Sequence, residues 1–151
     1  MRTIILSIIF LVIAGCQGNI KPDQVTKFVK VTEVPGQSQQ EIYQKVNEWF
    51  ATTYQSSTDV IKMKNPTTGT IIGRGVADVY LGMGQSSPCY YLIKVEVKDG
   101  KVRFTTDDYI WVGDNFKIRV QNQLDTMLVN MQGISNSLIA HINSNSVSNN
   151  W

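Results

Sequence analysis

The chain has 151 residues, with 14 Lys and Arg against 12 Asp and Glu, one His and two Cys. A formal charge of +2 over this length lacks the basic footprint that nucleic-acid binding leans on. One His and two Cys fall short of the four nitrogen and sulfur ligands that close a structural zinc site.

Met1-Arg2-Thr3 is followed by an apolar run from Ile4 to Ile13 and then by Ala14-Gly15-Cys16. One positive charge, roughly ten apolar residues and a small-residue end form the layout of a secretory signal peptide. The run is too short for the roughly 20 apolar residues that a membrane crossing needs. It meets Gln17, Gly18 and Asn19 at once. The tetrad Ile13-Ala14-Gly15-Cys16 resembles the lipobox of bacterial lipoproteins. That resemblance implies cleavage before Cys16, lipid on its sulfur (palmitate among the chains) and a domain held to a bilayer. Each buried CH₂ of an acyl chain contributes about 0.8 kcal/mol to such an anchor. An ordinary signal peptide with an incidental cysteine, or a buried N-terminal strand, is the alternative reading. Gln17, where an aspartate would retain the protein at the inner membrane, implies the periplasmic side of the outer membrane in a diderm host.

The expected organisation is a signal peptide over 1–15, the lipidated Cys16 with a linker over 16–26, one domain over 27–142 and a disordered polar tail over 143–151. Residues 17–25, with Pro22, are polar and reach about 30 Å at most, which keeps the domain near its membrane. With Cys16 lipidated, Cys89 is the remaining thiol. It can pair between chains or stay free, and at the start of a strand it reads as a half-buried thiol.

"KFVKVTEV", Lys27 to Val34, is rich in β-branched residues and predicts a strand that Pro35-Gly36 ends. Ser38 with Glu41 is a capping box opening a helix. Ile42, Val46, Trp49, Phe50 and Thr53 share one face of it, and Glu41 and Lys45 form an i, i+4 pair. Asp59 to Lys64 predicts a second strand, with "NPTTG" as the turn into a third. In the third strand Ile71, Gly73, Gly75, Ala77, Val79 and Leu81 alternate with Ile72, Arg74, Val76, Asp78 and Tyr80. The glycines on the apolar face suggest close approach of a helix.

"GMGQSSP" reads as a loop and "YYLIKVEVKDGKVRFTT" as a hairpin about Asp99-Gly100. A two-residue turn sets Lys98 opposite Lys101, Val97 opposite Val102, Glu96 opposite Arg103, Val95 opposite Phe104 and Ile93 opposite Thr106. After Trp111 and Gly113 a long stripe of Val120, Leu124, Met127, Leu128, Met131, Ile134, Leu138 and Ile142 predicts a helix. Its start is open, because Phe116, Ile118 and Val120 also alternate like a strand. The order β-α-β-β-β-β-α predicts an α+β two-layer domain, an antiparallel sheet of about five strands with both helices on one face.

Val34-Pro35-Gly36, Trp49-Phe50, Gly69 with Ile71 to Gly75, and Lys94 to Asp107 together resemble a bacterial family of domains of unknown function with a TBP-like fold. The resemblance covers about residues 29–112. It implies that sheet topology and an envelope or secreted setting, with no catalytic residues to transfer. It implies no DNA binding, because a fold does not fix a function.

No constellation carries recognisable chemistry. Gly69, Gly73 and Gly75 lie inside an alternating strand rather than in a phosphate loop that enters a helix. His141 has no ligand partners. Asp107-Asp108 reads as a solvated strand end, and Glu33, Glu41 and Glu48 as surface carboxylates. No nucleophile–base pair is visible, so the chain reads as non-enzymatic and without a cofactor.

Two surfaces remain. The outer sheet face carries Ile72, Arg74, Val76, Asp78, Tyr80, Tyr90, Leu92, Lys94, Glu96 and Arg103, the mixture of a partner-binding face or of a plain wet sheet face. Arg74, Asp78, Tyr80, Tyr90, Lys94, Glu96 and Arg103 are the candidate contacts. The polar face of the last helix, with Gln121, Asp125, Gln132, Ser135 and Asn136, is short of charge. The leading expectation is an adaptor that binds an envelope protein, held to the membrane through Cys16 and binding no nucleic acid. The rivals are a carrier of a small apolar ligand, between the last helix and the sheet at Gly73, Gly75, Met127 and Met131, and an exclusion or immunity lipoprotein.

Overall fold

A computed structural model describes residues 27–54, 60–113 and 116–144. The element order is β1 (Phe28–Glu33), α1 (Gln39–Thr53), β2 (Ile61–Asn65), β3 (Thr70–Gly82), β4 (Gln85–Lys98), β5 (Lys101–Trp111) and α2 (Gln121–Asn143). The five strands form one antiparallel sheet in the order β1-β5-β4-β3-β2. Both helices cover one face of it, as the alternation of apolar residues requires. Cys16, the linker and the tail beyond Ser144 lie outside the described residues, whereas Asn143 still belongs to α2.

Helix α1 begins where the capping box predicts. Ser38 accepts from the Glu41 amide, and Glu41 accepts from the Ser38 amide at 2.7 Å. These bonds to Ser38 hold the Glu41 carboxyl below its ordinary pKa. Ile42, Val46, Trp49 and Phe50 are buried against the sheet and α2, while Thr53 is exposed and leaves the predicted stripe one position short. The Asp99-Gly100 hairpin keeps every predicted pairing, from Lys98 opposite Lys101 through Ile93 opposite Thr106. Its inward residues Val95, Val97, Val102 and Phe104 are fully buried.

At Gly73 the expected close approach is present, with Phe50 of α1 and the backbone carbonyl of Val60, at 3.1 Å from an added Cβ, over it, whereas Gly75 is covered by an aromatic ring of the sheet itself. A Cβ on Gly75 would strike the ring of Tyr91, its direct partner across β3 and β4. A Cβ on Gly73 would stand 3.0 Å from Phe50 and 3.3 Å from Ile93. Met127 and Met131 are themselves fully buried. The gap a small-ligand carrier would need there is therefore filled by the protein's own side chains.

Three other expectations change. "GMGQSSP" is not a loop: β3 runs to Gly82, β4 starts at Gln85, and only Met83-Gly84 turn between them. Its later residues pair as strand, Ser86 with Tyr80, Ser87 with Val79 and Pro88 with Asp78. Asp107-Asp108 is no strand end. Between the pairs Leu92–Asp107 and Tyr90–Ile110, β5 carries one more residue than β4, and Asp108 takes φ 55 at this bulge. Finally, Cys89 is fully rather than half buried, because it lies well inside β4.

Residues 116–120 stay non-helical, with Lys117 bridging Ile110 and Ile118 buried. The apolar stripe of α2 then starts in earnest at Leu124. Ser135, read from the sequence as part of the polar face, is instead fully buried, and its hydroxyl finds no partner among the described residues. The buried residues of α2 step by three and four from Leu124 through Met127, Met131, Ser135 and Leu138 to Ile142, so Ser135 falls on the same face as its apolar neighbours Met131 and Leu138.

Candidate functional site

Register fixes the outer face. The even residues of β3 and β4 alternate away from the helices, and pairing sets Ile72 opposite Lys94, Arg74 opposite Leu92, Val76 opposite Tyr90 and Asp78 opposite Pro88. Glu96 lies opposite Arg103 on β5. All seven candidate contacts, Arg74, Asp78, Tyr80, Tyr90, Lys94, Glu96 and Arg103, therefore share one face, and none is buried.

Two sub-clusters organise it. The Arg74 guanidinium lies 3.9 Å from the centroid of the Tyr90 ring, a cation–π contact along the diagonal of the ladder. Glu96 is shared by Lys94 at 2.9 Å and Arg103 at 3.7 Å. Exposed pairs of this kind contribute about 0–1 kcal/mol each, so they orient the surface more than they stabilise the fold. The Asp78 carbonyl accepts from the Asn130 side chain at 2.8 Å, which ties the middle of β3 to α2 while leaving the Asp78 side chain exposed.

The face also carries residues that the sequence did not assign to it. Val31 lies opposite Arg103 and Val29 opposite Thr105, and both valines are more than half exposed. The inner side of β1 is taken by Phe28, Lys30 and Thr32. Lys30 reaches Asn136 of α2 at 2.7 Å. A lysine turned inward on an edge strand guards it against pairing with another chain. Val29, Val31, Ile72 and Leu92 with Lys94, Glu96 and Arg103 line an open trough of about 490 Å³. Alternation alone could not reveal this, since β1 could show either face until its pairing with β5 is known.

The buried polar groups are structural. Tyr54 and Tyr91 share a hydrogen bond of 2.8 Å, as do Thr106 and Tyr109. Burial pushes all three phenols above their ordinary range. Burial likewise pushes the Cys89 thiol up to about 11, against a smaller opposing effect of its backbone hydrogen bond with Ile110. At neutral pH it is a protonated thiol, the inert form of cysteine. Among the described residues, no three of His, Cys, Asp and Glu converge to hold a metal ion. Nor is any described helix long and apolar enough to cross a membrane.

This is a two-layer α+β domain with a TBP-like sheet, one face packed by helices and the other open among the described residues. Residues 28–109 match the family described as "Domain of unknown function (DUF4468) with TBP-like fold", and the chain belongs to that family. Two crystal structures share the fold. A TBP-like protein from Parabacteroides distasonis ATCC 8503 superposes with a TM-score of 0.64 at 12% identity, over 78% of this chain and 92% of that one. A DUF4468 family protein from Bacteroides ovatus ATCC 8483 gives 0.63 at 13% identity, over 85% and 92%. At these identities the likeness shows the fold alone. No curated protein matches the chain.

Proposed function

We propose that this chain is a non-enzymatic, lipid-anchored envelope module that docks a protein partner on the open face of its sheet. One observation carries the reading: a continuous sheet face that no helix covers among the described residues, where exposed valines stand beside charges of both signs and a stacked Arg74–Tyr90 pair. Apolar groups ringed by paired charges and aromatics suit a protein surface. The lipobox-like Ile13-Ala14-Gly15-Cys16 supports the anchor, with lipid on Cys16 and, in a diderm host, the periplasmic face of the outer membrane.

The test is crosslinking of the tagged full chain in its own cells, comparing the native protein with the double variant Arg74→Ala, Tyr80→Ala. Both side chains are exposed, and losing the Arg74–Tyr90 stack and the Tyr80 bond to the Gly84 amide should lower the melting temperature by only a few degrees and leave the domain folded. Loss of the crosslinked partner with folding intact is the expected result. Equal recovery from both proteins removes the outer face as the docking surface.

A further inference from the structure

The β3–β4 hairpin ends in an apolar tip. Leu81 is 40% exposed and Met83 fully exposed, with Tyr80 at 54% behind them. Met83 and Gly84 are the central residues of the turn, at φ 51 and 75, the positive values that a type I′ turn demands. Asn or Gly suits the first of these places; a methionine there stands in a left-handed conformation with its side chain wholly in solvent. The Tyr80 hydroxyl accepts from the Gly84 amide at 3.2 Å and braces the turn from behind. No charged residue occurs between Asp78 and Lys94, although 17% of the chain is charged. The outer part of this hairpin is therefore uncharged on both strands.

Strand β1 runs away from the tip, from Phe28 opposite Thr106 to Glu33 opposite Lys101, so the chain enters the sheet from the side that faces the tip. Thr106 in turn lies opposite Ile93. From Ile93 to Gly84 is nine residues (93 − 84), about 30 Å along the strand at a rise of ~3.3 Å per residue. From Cys16 to Lys27 is eleven residues (27 − 16), which reach about 36 Å when extended. The tether is long enough for the hairpin tip to touch the plane in which Cys16 is anchored.

Resting on the lipid-anchor reading above, we infer that Met83 and Leu81 at the hairpin tip enter the acyl–headgroup boundary of the same bilayer as a second contact, which sets the domain upright on its membrane. An unbranched thioether suits a fluid apolar surrounding, and a phenol behind it suits the wet boundary. A contact too weak to bind free protein suffices here, because the anchor keeps the tip at high local concentration.

The experiment uses the full chain, processed in a lipoprotein-making host and reconstituted into phosphatidylethanolamine–phosphatidylglycerol vesicles. Met83→Cys, Phe116→Cys and Lys64→Cys variants carry an environment-sensitive maleimide dye; Cys89 is buried and does not compete. Phe116 is exposed and its carbonyl accepts from the Trp111 amide, opposite Cys89, short of the tip; Lys64 lies opposite Ile71, toward the far end. The expected result is quenching by nitroxide lipids several-fold stronger at 83 than at 64, with 116 between. Flotation with the vesicles and equal weak quenching at 83 and 64 overturns the tip contact and leaves the anchor standing. A shielded dye at 83 that lipid nitroxides do not quench overturns it in favour of a protein contact. Failure to float at all removes both the anchor and the contact that depends on it.

Discussion

Ser135 is the residue whose chemistry and place disagree most. Its hydroxyl is fully buried without a partner among the described residues, and an unmet hydroxyl costs about 1–3 kcal/mol. Alanine fills nearly the same space and is the better helix former. Ser135→Ala is therefore expected to raise stability by roughly 0.5–1 kcal/mol, read as a higher urea midpoint at unchanged m-value. A loss of more than about 1 kcal/mol would show that the hydroxyl bonds a group within the fold. Gly75 and Tyr91 make the opposite case, a position where chemistry and place fit. The missing Cβ is the space that the ring occupies, so glycine's usual weakness in a strand is offset by aromatic burial across the pair.

At the scale of elements, the β4–β5 turn does more than fix a register. The Asp99 carboxylate accepts from the Gln39 amide at 2.7 Å, inside the first turn of α1. Gly100 donates to the Gln37 carbonyl at 2.9 Å and accepts from Val34 at 2.9 Å. The helix thus has two caps, one local from Ser38 and one delivered by a turn 60 residues away. Asp99→Ala removes a charge-assisted acceptor from the positive end of the helix and is expected to cost about 1–2 kcal/mol in chemical denaturation. Asp99→Asn keeps the turn residue and an acceptor oxygen, so a smaller loss is expected. Equal stability of the native chain and Asp99→Ala would mean that Ser38 alone satisfies this helix end.

At the scale of the molecule, the buried titratable groups set a common pH dependence. Cys89 has its pKa raised from 9.0 to about 11, and Tyr54, Tyr91 and Tyr109 are raised from 10.0, all chiefly by burial. A raised folded pKa gives stability that is fully present below the unfolded value and is lost as pH climbs toward the folded one. The thiol alone accounts for roughly 2–3 kcal/mol between pH 9 and about 11, at ~1.4 kcal/mol per unit, and the phenols add to the loss above pH 10. Urea midpoints measured from pH 7 to 11 should be flat to about pH 9 and then fall. A midpoint that holds to pH 10.5 would mean that these groups ionise in place.

The Ser38–Glu41 box, the Asp99-Gly100 hairpin and the alternation of β3 were legible in the sequence because each is set by residues close along the chain. The β-α-β-β-β-β-α order followed from them, and so did the seven residues of the open face, since a fixed hairpin register and a period of two decide what shares a side. What the sequence left undecided depends on distant partners. Only pairing with β5 turns Val29 and Val31 outward and Lys30 inward. Tertiary packing alone supplies the Asp99 cap, lays rings over Gly73 and Gly75, draws "GMGQSSP" into strand and buries Ser135. Local pattern fixes which elements form, because propensity and period act over a few residues. Which face each element shows is decided where burial and hydrogen bonding across the whole sheet outweigh local preference.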